Sequence, residues 1–151
     1  MKPHIKQFFK FLESKEDRQI PFKVKVLHPK DFKLTPKDLN IKGHLDFREY
    51  EVRSDDEIRF LNSLPDNLTV GKNLYLDDSP IKSLPNNLTV KGDLSLTFTD
   101  IEIDFIPNNL KVRGNLDLTD TALSEKYTEE EIRSAIEKKG GFVKGDIELK
   151  Y

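Results

Sequence analysis

Leu64-Pro-Asp-Asn-Leu-Thr-Val-Gly-Lys-Asn-Leu-Tyr-Leu-Asp-Asp-Ser-Pro-Ile81 is the stretch that decides the fold, because the chain repeats it twice. The second version is Leu84-Pro-Asn-Asn-Leu-Thr-Val-Lys-Gly-Asp-Leu-Ser-Leu-Thr-Phe-Thr-Asp-Ile101, and the third is Ile106-Pro-Asn-Asn-Leu-Lys-Val-Arg-Gly-Asn-Leu-Asp-Leu-Thr-Asp-Thr-Ala-Leu123. Pro65, Pro85 and Pro107 step by 20 and then 22 residues. A period near 20 predicts a solenoid, in which each unit buries its apolar face against its neighbours. Leu68 and Val70 alternate with polar residues, as do Leu74 and Leu76, so each pair reads as a short extended arm with one apolar face. The glycine between the arms (Gly71, Gly92, Gly114) is read as a positive-φ corner. Stacked arms would pair in parallel, about 4.8 Å apart. The expected inward columns are Leu68/Leu88/Leu110, Val70/Val90/Val112, Leu74/Leu94/Leu116, Leu76/Leu96/Leu118 and Ile81/Ile101/Leu123.

Working outward, Leu39, Ile41, Gly43, Leu45 and Phe47 match the same columns as a degenerate first unit. Ser54 with Glu57 is a capping-box pattern and predicts a helical insertion near 54–62. Thr128 with Glu131 is another. With the Ile132, Ala135 and Ile136 stripe and the Gly140-Gly141 stop, it predicts a helix over 128–139. Phe142 to Leu149 then repeats the arm-glycine-arm pattern as a fifth unit. Upstream, Ile20 to Leu27 alternates Phe22, Val24 and Val26 with lysines and reads as an edge strand. Ile5, Phe8, Phe9 and Leu12 share one face of a short capping helix over Ile5–Glu13. The organisation is thus an N-terminal helix-and-strand cap over 1–34 and a solenoid over 35–151. The fold class is mainly β with short α, of about five coils.

Leu74-x-Leu76-x-x-Ser79-x-Ile81 and its two copies resemble the LxLxxNxL segment of leucine-rich repeats. The Leu-Pro opening and short period are similar to the repeats of bacterial effector leucine-rich-repeat proteins. The family's asparagine column is here Ser79, Thr99 and Thr121. A hydroxyl makes one hydrogen bond where the amide makes a donor-acceptor pair, which leaves a parallel β-helix as the alternative subtype. The first dozen residues, Met1-Lys-Pro-His-Ile-Lys-Gln-Phe-Phe-Lys-Phe-Leu12, resemble the short N-terminal helices of tailed-phage proteins. The family resemblance implies a protein-binding module of phage or bacterial origin.

Composition narrows the chemistry. The chain has 151 residues, a net charge of −2, 34% charged and 36% apolar residues, and no cysteine. That charge gives no field for nucleic acid, and zero cysteines remove disulfides and thiolate chemistry together. No apolar run approaches the 18 residues of a membrane span. A cytoplasmic monomer without cofactor or metal is the expectation. His4, His28 and His44 share no metal spacing, and no nucleophile, phosphate-loop or zinc-protease motif occurs. The nearest approach to an acid-base pair is Asp93 with Asp117 on adjacent units, both at repeat-consensus polar positions. The chain is expected not to be an enzyme.

The repeat also fixes which polar side chains stack. One face carries three rows: His44, Asn73, Asp93, Asn115 and Asp146; Asp46, Tyr75, Ser95, Asp117 and Glu148; Arg48, Asp77, Thr97, Thr119 and Lys150. A basic ladder of Lys42, Lys72, Lys91, Arg113 and Lys144 is expected beside the glycine corner, although Lys72 stands in the glycine column. The candidate partner-binding residues are Tyr75, Asp77, Asp93, Phe98 and Asp117 on the acid-leaning side, and Lys91 and Arg113 on the basic side. Tyr75 and Phe98 are the aromatic anchors of that set. The expected function is non-catalytic binding of a protein partner through the sheet face and flanking helices. Inhibition of a host protein by a phage accessory factor, and self-association as a structural component, are the alternatives.

Overall fold

A computed structural model describes residues 22–27, 30, 33–48 and 63–150. The helices expected over 5–13 and 54–62 lie outside the described residues. Ten two-residue strands form two five-stranded parallel sheets. Sheet A takes β1 (Asn40–Ile41), β3 (Thr69–Val70), β5 (Thr89–Val90), β7 (Lys111–Val112) and β9 (Phe142–Val143). Sheet B takes β2 (Leu45–Asp46), β4 (Leu74–Tyr75), β6 (Leu94–Ser95), β8 (Leu116–Asp117) and β10 (Ile147–Glu148). Each repeat unit supplies one strand to each sheet. Each strand pairs with its equivalents in the neighbouring units.

The registers set like residue on like residue. Ile41, Val70, Val90, Val112 and Val143 stack in sheet A. Leu45, Leu74, Leu94, Leu116 and Ile147 stack in sheet B. The columns Leu68/Leu88/Leu110, Leu76/Leu96/Leu118 and Ile81/Ile101/Leu123 are all buried. One apolar cluster therefore runs from Phe22 to Ile147, built from the alternation that the repeat encodes.

The glycines work differently from the expectation. Gly140 is the glycine with positive φ, at 83°. The left-handed residues are Asn67, Asn87 and Asn109 in one turn and Asp78, Phe98 and Asp120 in the other, with φ between 53° and 65°. At Gly92, Gly114 and Gly145 glycine is favoured because successive backbones nearly touch there. A Cβ on Gly114 would lie 2.7 Å from the carbonyl carbon and oxygen of Gly92, and one on Gly145 would lie 2.6 Å from the Gly114 oxygen. The same geometry resolves the shifted glycine. Lys72 stands in the glycine column: its N–H donates to Gly43 C=O (3.1 Å) and its C=O accepts from Gly92 N–H (3.0 Å). Gly71 takes the place expected of a lysine, so the basic ladder is Lys42, Lys91, Arg113 and Lys144 with a gap.

The turn asparagines carry a second, side-chain ladder. Asn87 Nδ2 donates to Asn67 Oδ1 (2.8 Å) and Asn109 Nδ2 to Asn87 Oδ1 (2.9 Å). Asparagine tolerates the left-handed region because its short amide bonds locally. Stacking then gives that amide a second use. In the hydroxyl column Thr99 Oγ1 and Thr121 Oγ1 donate within their own turns, to the carbonyls of Leu96 and Leu118 at 2.6 and 2.7 Å, whereas the buried Ser79 Oγ makes no hydrogen bond among the described residues.

The strand expected over 20–27 is instead a helix, α1 (Phe22–Leu27). Phe22 and Val26 fit both periods, since residues four apart share a helix face. Both meet the core, Phe22 buried and Val26 partly so. Lys25 on α1 bonds Asp38 at 2.9 Å. The helix expected over 128–139 is present as α3 (Glu129–Lys138), with both capping-box bonds made between Thr128 and Glu131. A short helix, α2 (Ala122–Lys126), precedes it and was not expected. Thr121 caps it by accepting from Ser124 N–H at 3.2 Å.

Candidate functional site

The outward side of sheet B gathers the acid-leaning residues. Its first row is a structural ladder. His44 Nδ1 accepts from Asn73 N–H (3.1 Å), Asn73 Oδ1 from Asp93 N–H (2.9 Å), Asp93 Oδ1 from Asn115 N–H (2.8 Å) and Asn115 Oδ1 from Asp146 N–H (3.0 Å). Asp93 is exposed, and one of its oxygens is committed to holding the next unit. Asp117 sits one row on, where Oδ1 accepts from Thr119 N–H at 2.9 Å. The register sets Asp93 beside Asn115 and sets Asp117 beside Ser95, so the two carboxylates occupy different rows.

Next to Arg48 in the third row stands its acid, Asp77. Asp77 Oδ1 accepts from Ser95 Oγ, from Thr97 N–H (3.1 Å) and from Thr97 Oγ1 (2.8 Å). Its Oδ2 lies 3.6 Å from Arg48 Nε. Arg48 also forks onto Asp46, with Nε to Oδ1 at 3.0 Å and Nη2 to Oδ2 at 2.9 Å. The guanidinium lies 3.6 Å from the centre of the Tyr75 ring. Asn73 Nδ2 donates to Tyr75 Oη at 2.6 Å. Tyr75 is therefore held between Arg48 and Asn73, half-buried, with His44 tilted beside it at 6.3 Å. The Arg48 hydrogen bond holds the Asp46 carboxyl below its ordinary range against the opposing effect of burial. Asp46 in turn raises Arg48. Repeat reading placed Arg48, His44 and Asn73 in their rows without singling them out. The signal was an arginine two residues beyond an acid on one strand face.

Phe98 is set apart from that cluster. It occupies the turn after β6 with φ 57° and 63% of its surface exposed, between Asp78 and Asp120 of the neighbouring units. Phe105, in the two-residue excess of the third unit, is the other large apolar residue exposed among those described, at 48%. Lys91 and Arg113 are exposed neighbours at the corner between the sheets, following the paired residues Val90 and Val112. The candidates thus divide among the sheet B face (Tyr75, Asp77, Asp93, Asp117), its far turn (Phe98) and its near corner (Lys91, Arg113).

A cavity of about 60 Å³ lies between the 3-10 turn Ile103–Phe105 and α2, beside Glu102, Lys126 and Tyr127. Ligand pockets are roughly 300–1,000 Å³. Among the described residues no group of three His, Cys, Asp or Glu is placed to hold a metal ion, and no helix is long and apolar enough to cross a membrane. The chain matches no protein-family model, no curated protein and no solved structure.

Proposed function

We propose that the chain is a leucine-rich-repeat-like solenoid that binds another protein, without catalysis, through the sheet B face and the turn that rims it. A cytoplasmic setting suits a chain with no cysteine. The observation that carries the reading is Phe98. A bulky aromatic in the left-handed region costs about 1 kcal/mol. The same turn in the flanking units uses aspartate, which tolerates that backbone. Folding alone would favour aspartate or asparagine at 98, and it would not leave an aromatic ring in water. Strained residues that persist against such a preference cluster at functional positions. Aromatic rings are also the commonest anchors of protein interfaces. The acids of the sheet face, with Asp78 and Asp120 beside the ring, favour a basic partner surface.

The test is Phe98→Asn, which suits the turn and removes the ring. The variant should melt no lower than wild type. An immobilised wild-type protein should retain a stoichiometric partner from a bacterial lysate, and the variant should lose it. Equal capture by both would remove Phe98 from the interface. A variant that melts lower would show that the ring serves the fold.

A further inference from the structure

Each parallel ladder bonds in both directions along the stack, through alternate residues of a strand. In sheet A, Lys91 N–H donates back to Val70 C=O, Arg113 N–H to Val90 C=O and Lys144 N–H to Val112 C=O. In sheet B, Leu74 N–H donates forward to Asp93 C=O, Leu94 N–H to Asn115 C=O and Leu116 N–H to Asp146 C=O. By the same registers the fifth unit turns the Val143 and Gly145 carbonyls outward at sheet A, and Ile147 N–H, Leu149 N–H and Ile147 C=O outward at sheet B.

Arg133 of α3 holds two carbonyls of the sheet A edge, donating from Nη1 to Val143 C=O (2.5 Å) and from Nη2 to Gly145 C=O (2.9 Å). Those are two of the oxygens to which another unit would donate. At the opposite end, Lys23 of α1 closes the outer carbonyl of β2 by donating to Asp46 C=O. Among the described residues the β10 edge has no such closure, and nothing accepts the N–H of Ile147 or Leu149. Among the same residues Asp146 Oδ1 ends the side-chain ladder with no backbone N–H to accept, whereas His44, Asn73, Asp93 and Asn115 all have one. Leu149 is only partly buried, although Phe47, Leu76, Leu96 and Leu118 of its column are buried.

We propose that the β10 edge receives one extended segment of a partner protein, added in parallel as a sixth strand of sheet B. A whole further unit does not fit, because Arg133 already occupies the sheet A acceptors. A single strand does. Let its residue k lie in register with Ile147. The k−1 carbonyl then takes Ile147 N–H, the k+1 N–H reaches Ile147 C=O, the k+1 carbonyl takes Leu149 N–H, and the k−1 N–H meets Asp146 Oδ1. Position k continues the Leu116–Ile147 column and is apolar. Position k+2 covers Leu149 and is apolar. Position k+1 stands beside Glu148 and is cationic. The recognised segment is apolar-cationic-apolar, held mainly through its backbone, as in other strand additions. This site is independent of the Phe98 face, and each can fail alone.

The probe is a capped peptide copying residues 114–119 with Asp117→Lys, so that its two leucines occupy k and k+2. Amide hydrogen exchange of the full chain is followed with and without about 1 mM peptide, a concentration that detects even weak binding. Protection of Ile147 and Leu149 should rise about tenfold, with the central amides of sheet A unchanged. A peptide N-methylated at the k+1 nitrogen should bind about tenfold more weakly, since one ladder hydrogen bond is lost. The proposal is overturned if the peptide does not bind, if it binds without protecting those amides, or if N-methylation leaves binding unchanged. Two results from the free protein also overturn it. Protection of the two amides that grows with protein concentration would make the edge a contact between copies. Protection independent of concentration would mean that the chain closes its own edge.

Discussion

Gly43 and Gly114 occupy equivalent places in the repeat and should respond oppositely to alanine. Neither has a positive φ, so backbone strain does not separate them. Among the described residues, a Cβ on Gly43 would meet nothing within 4 Å. A Cβ on Gly114 would lie 2.7 Å from the Gly92 carbonyl carbon and oxygen, and closer still to Asp93 Oδ1. The carboxylate can swing away, but then its 2.8 Å bond to Asn115 N–H is lost. The Gly92 backbone cannot retreat without lengthening the Gly114 N–H to Gly92 C=O bond of 2.9 Å. Overpacking costs about 1–3 kcal/mol and a lost hydrogen bond about 1 kcal/mol, so Gly114→Ala should lose about 2–4 kcal/mol. Gly43→Ala should stay within about 0.5 kcal/mol of wild type, with any gain coming from the stiffer unfolded chain. Urea melts fitted with a common slope give both values. Equal losses would refute close approach as the reason for the glycine column, and so would a harmless Gly114→Ala.

Leu94→Ala should cost about 2–5 kcal/mol, because the fully buried side chain sits between Leu74 and Leu116 in the central column; Lys91→Ala, exposed, should leave the same melt within about 0.5 kcal/mol. Asn87→Ala removes an amide that bonds Asn67 and Asn109 and places alanine at φ 58°, so a loss of about 2–3 kcal/mol is expected, with Asn87→Gly recovering the backbone part. Asp46 titrates below its ordinary range because of Arg48, so the folded state holds that proton less tightly than the unfolded chain does. Its contribution is present above about pH 4 and is lost as pH falls through the lowered folded value. The melting temperature should therefore fall more steeply as pH drops below about 4 in wild type than in Arg48→Met.

The sheets were legible in the sequence because two separate periods agreed. Alternation within Leu68–Val70 and Leu74–Leu76 chose the inward face, and the proline spacing chose the register. Together they allow one stack, and the paired registers are that stack. The turn chemistry was legible only as residue type. Proline followed by two asparagines, or Asp-Asn, says that a turn is present, but only the stacked geometry shows that Asn67, Asn87 and Asn109 are left-handed and bonded to one another. The glycine column was misread for the same reason. A glycine used for positive φ and a glycine used for close approach look alike until the neighbouring backbone is in place. In α1, Phe22, Val24 and Val26 satisfy period two, while Phe22 and Val26 alone satisfy the helix. Six residues are too few for periodicity to choose, and burial of Phe22 in the core chose. Among the site residues, exposure of Phe98 follows from its place in the turn. The locking of Tyr75 by Arg48 and Asn73 needed side-chain geometry that no spacing encodes.

The direction of the ladders bears on whether such a stack can grow. Units joined by parallel strands have two unlike ends, and copies could in principle add head to tail. Joining them would require the sheet A carbonyls of the fifth unit and the sheet B carbonyls of the first to find donors on another copy. Arg133 and Lys23 already supply donors there, each from a helix at its own end of the stack. A cation is well suited to this role, since a hydrogen bond from a charged donor is about twice as strong as one from a neutral amide. A second copy would have to displace a charge-assisted bond to make a neutral one. Cations thus hold the Val143 and Gly145 carbonyls at one end and the Asp46 carbonyl at the other, while among the described residues no comparable bond reaches Ile147 or Leu149 N–H at β10. A β10 edge left open beside a sheet A edge that Arg133 holds favours the single added strand proposed above over the stacking of whole copies.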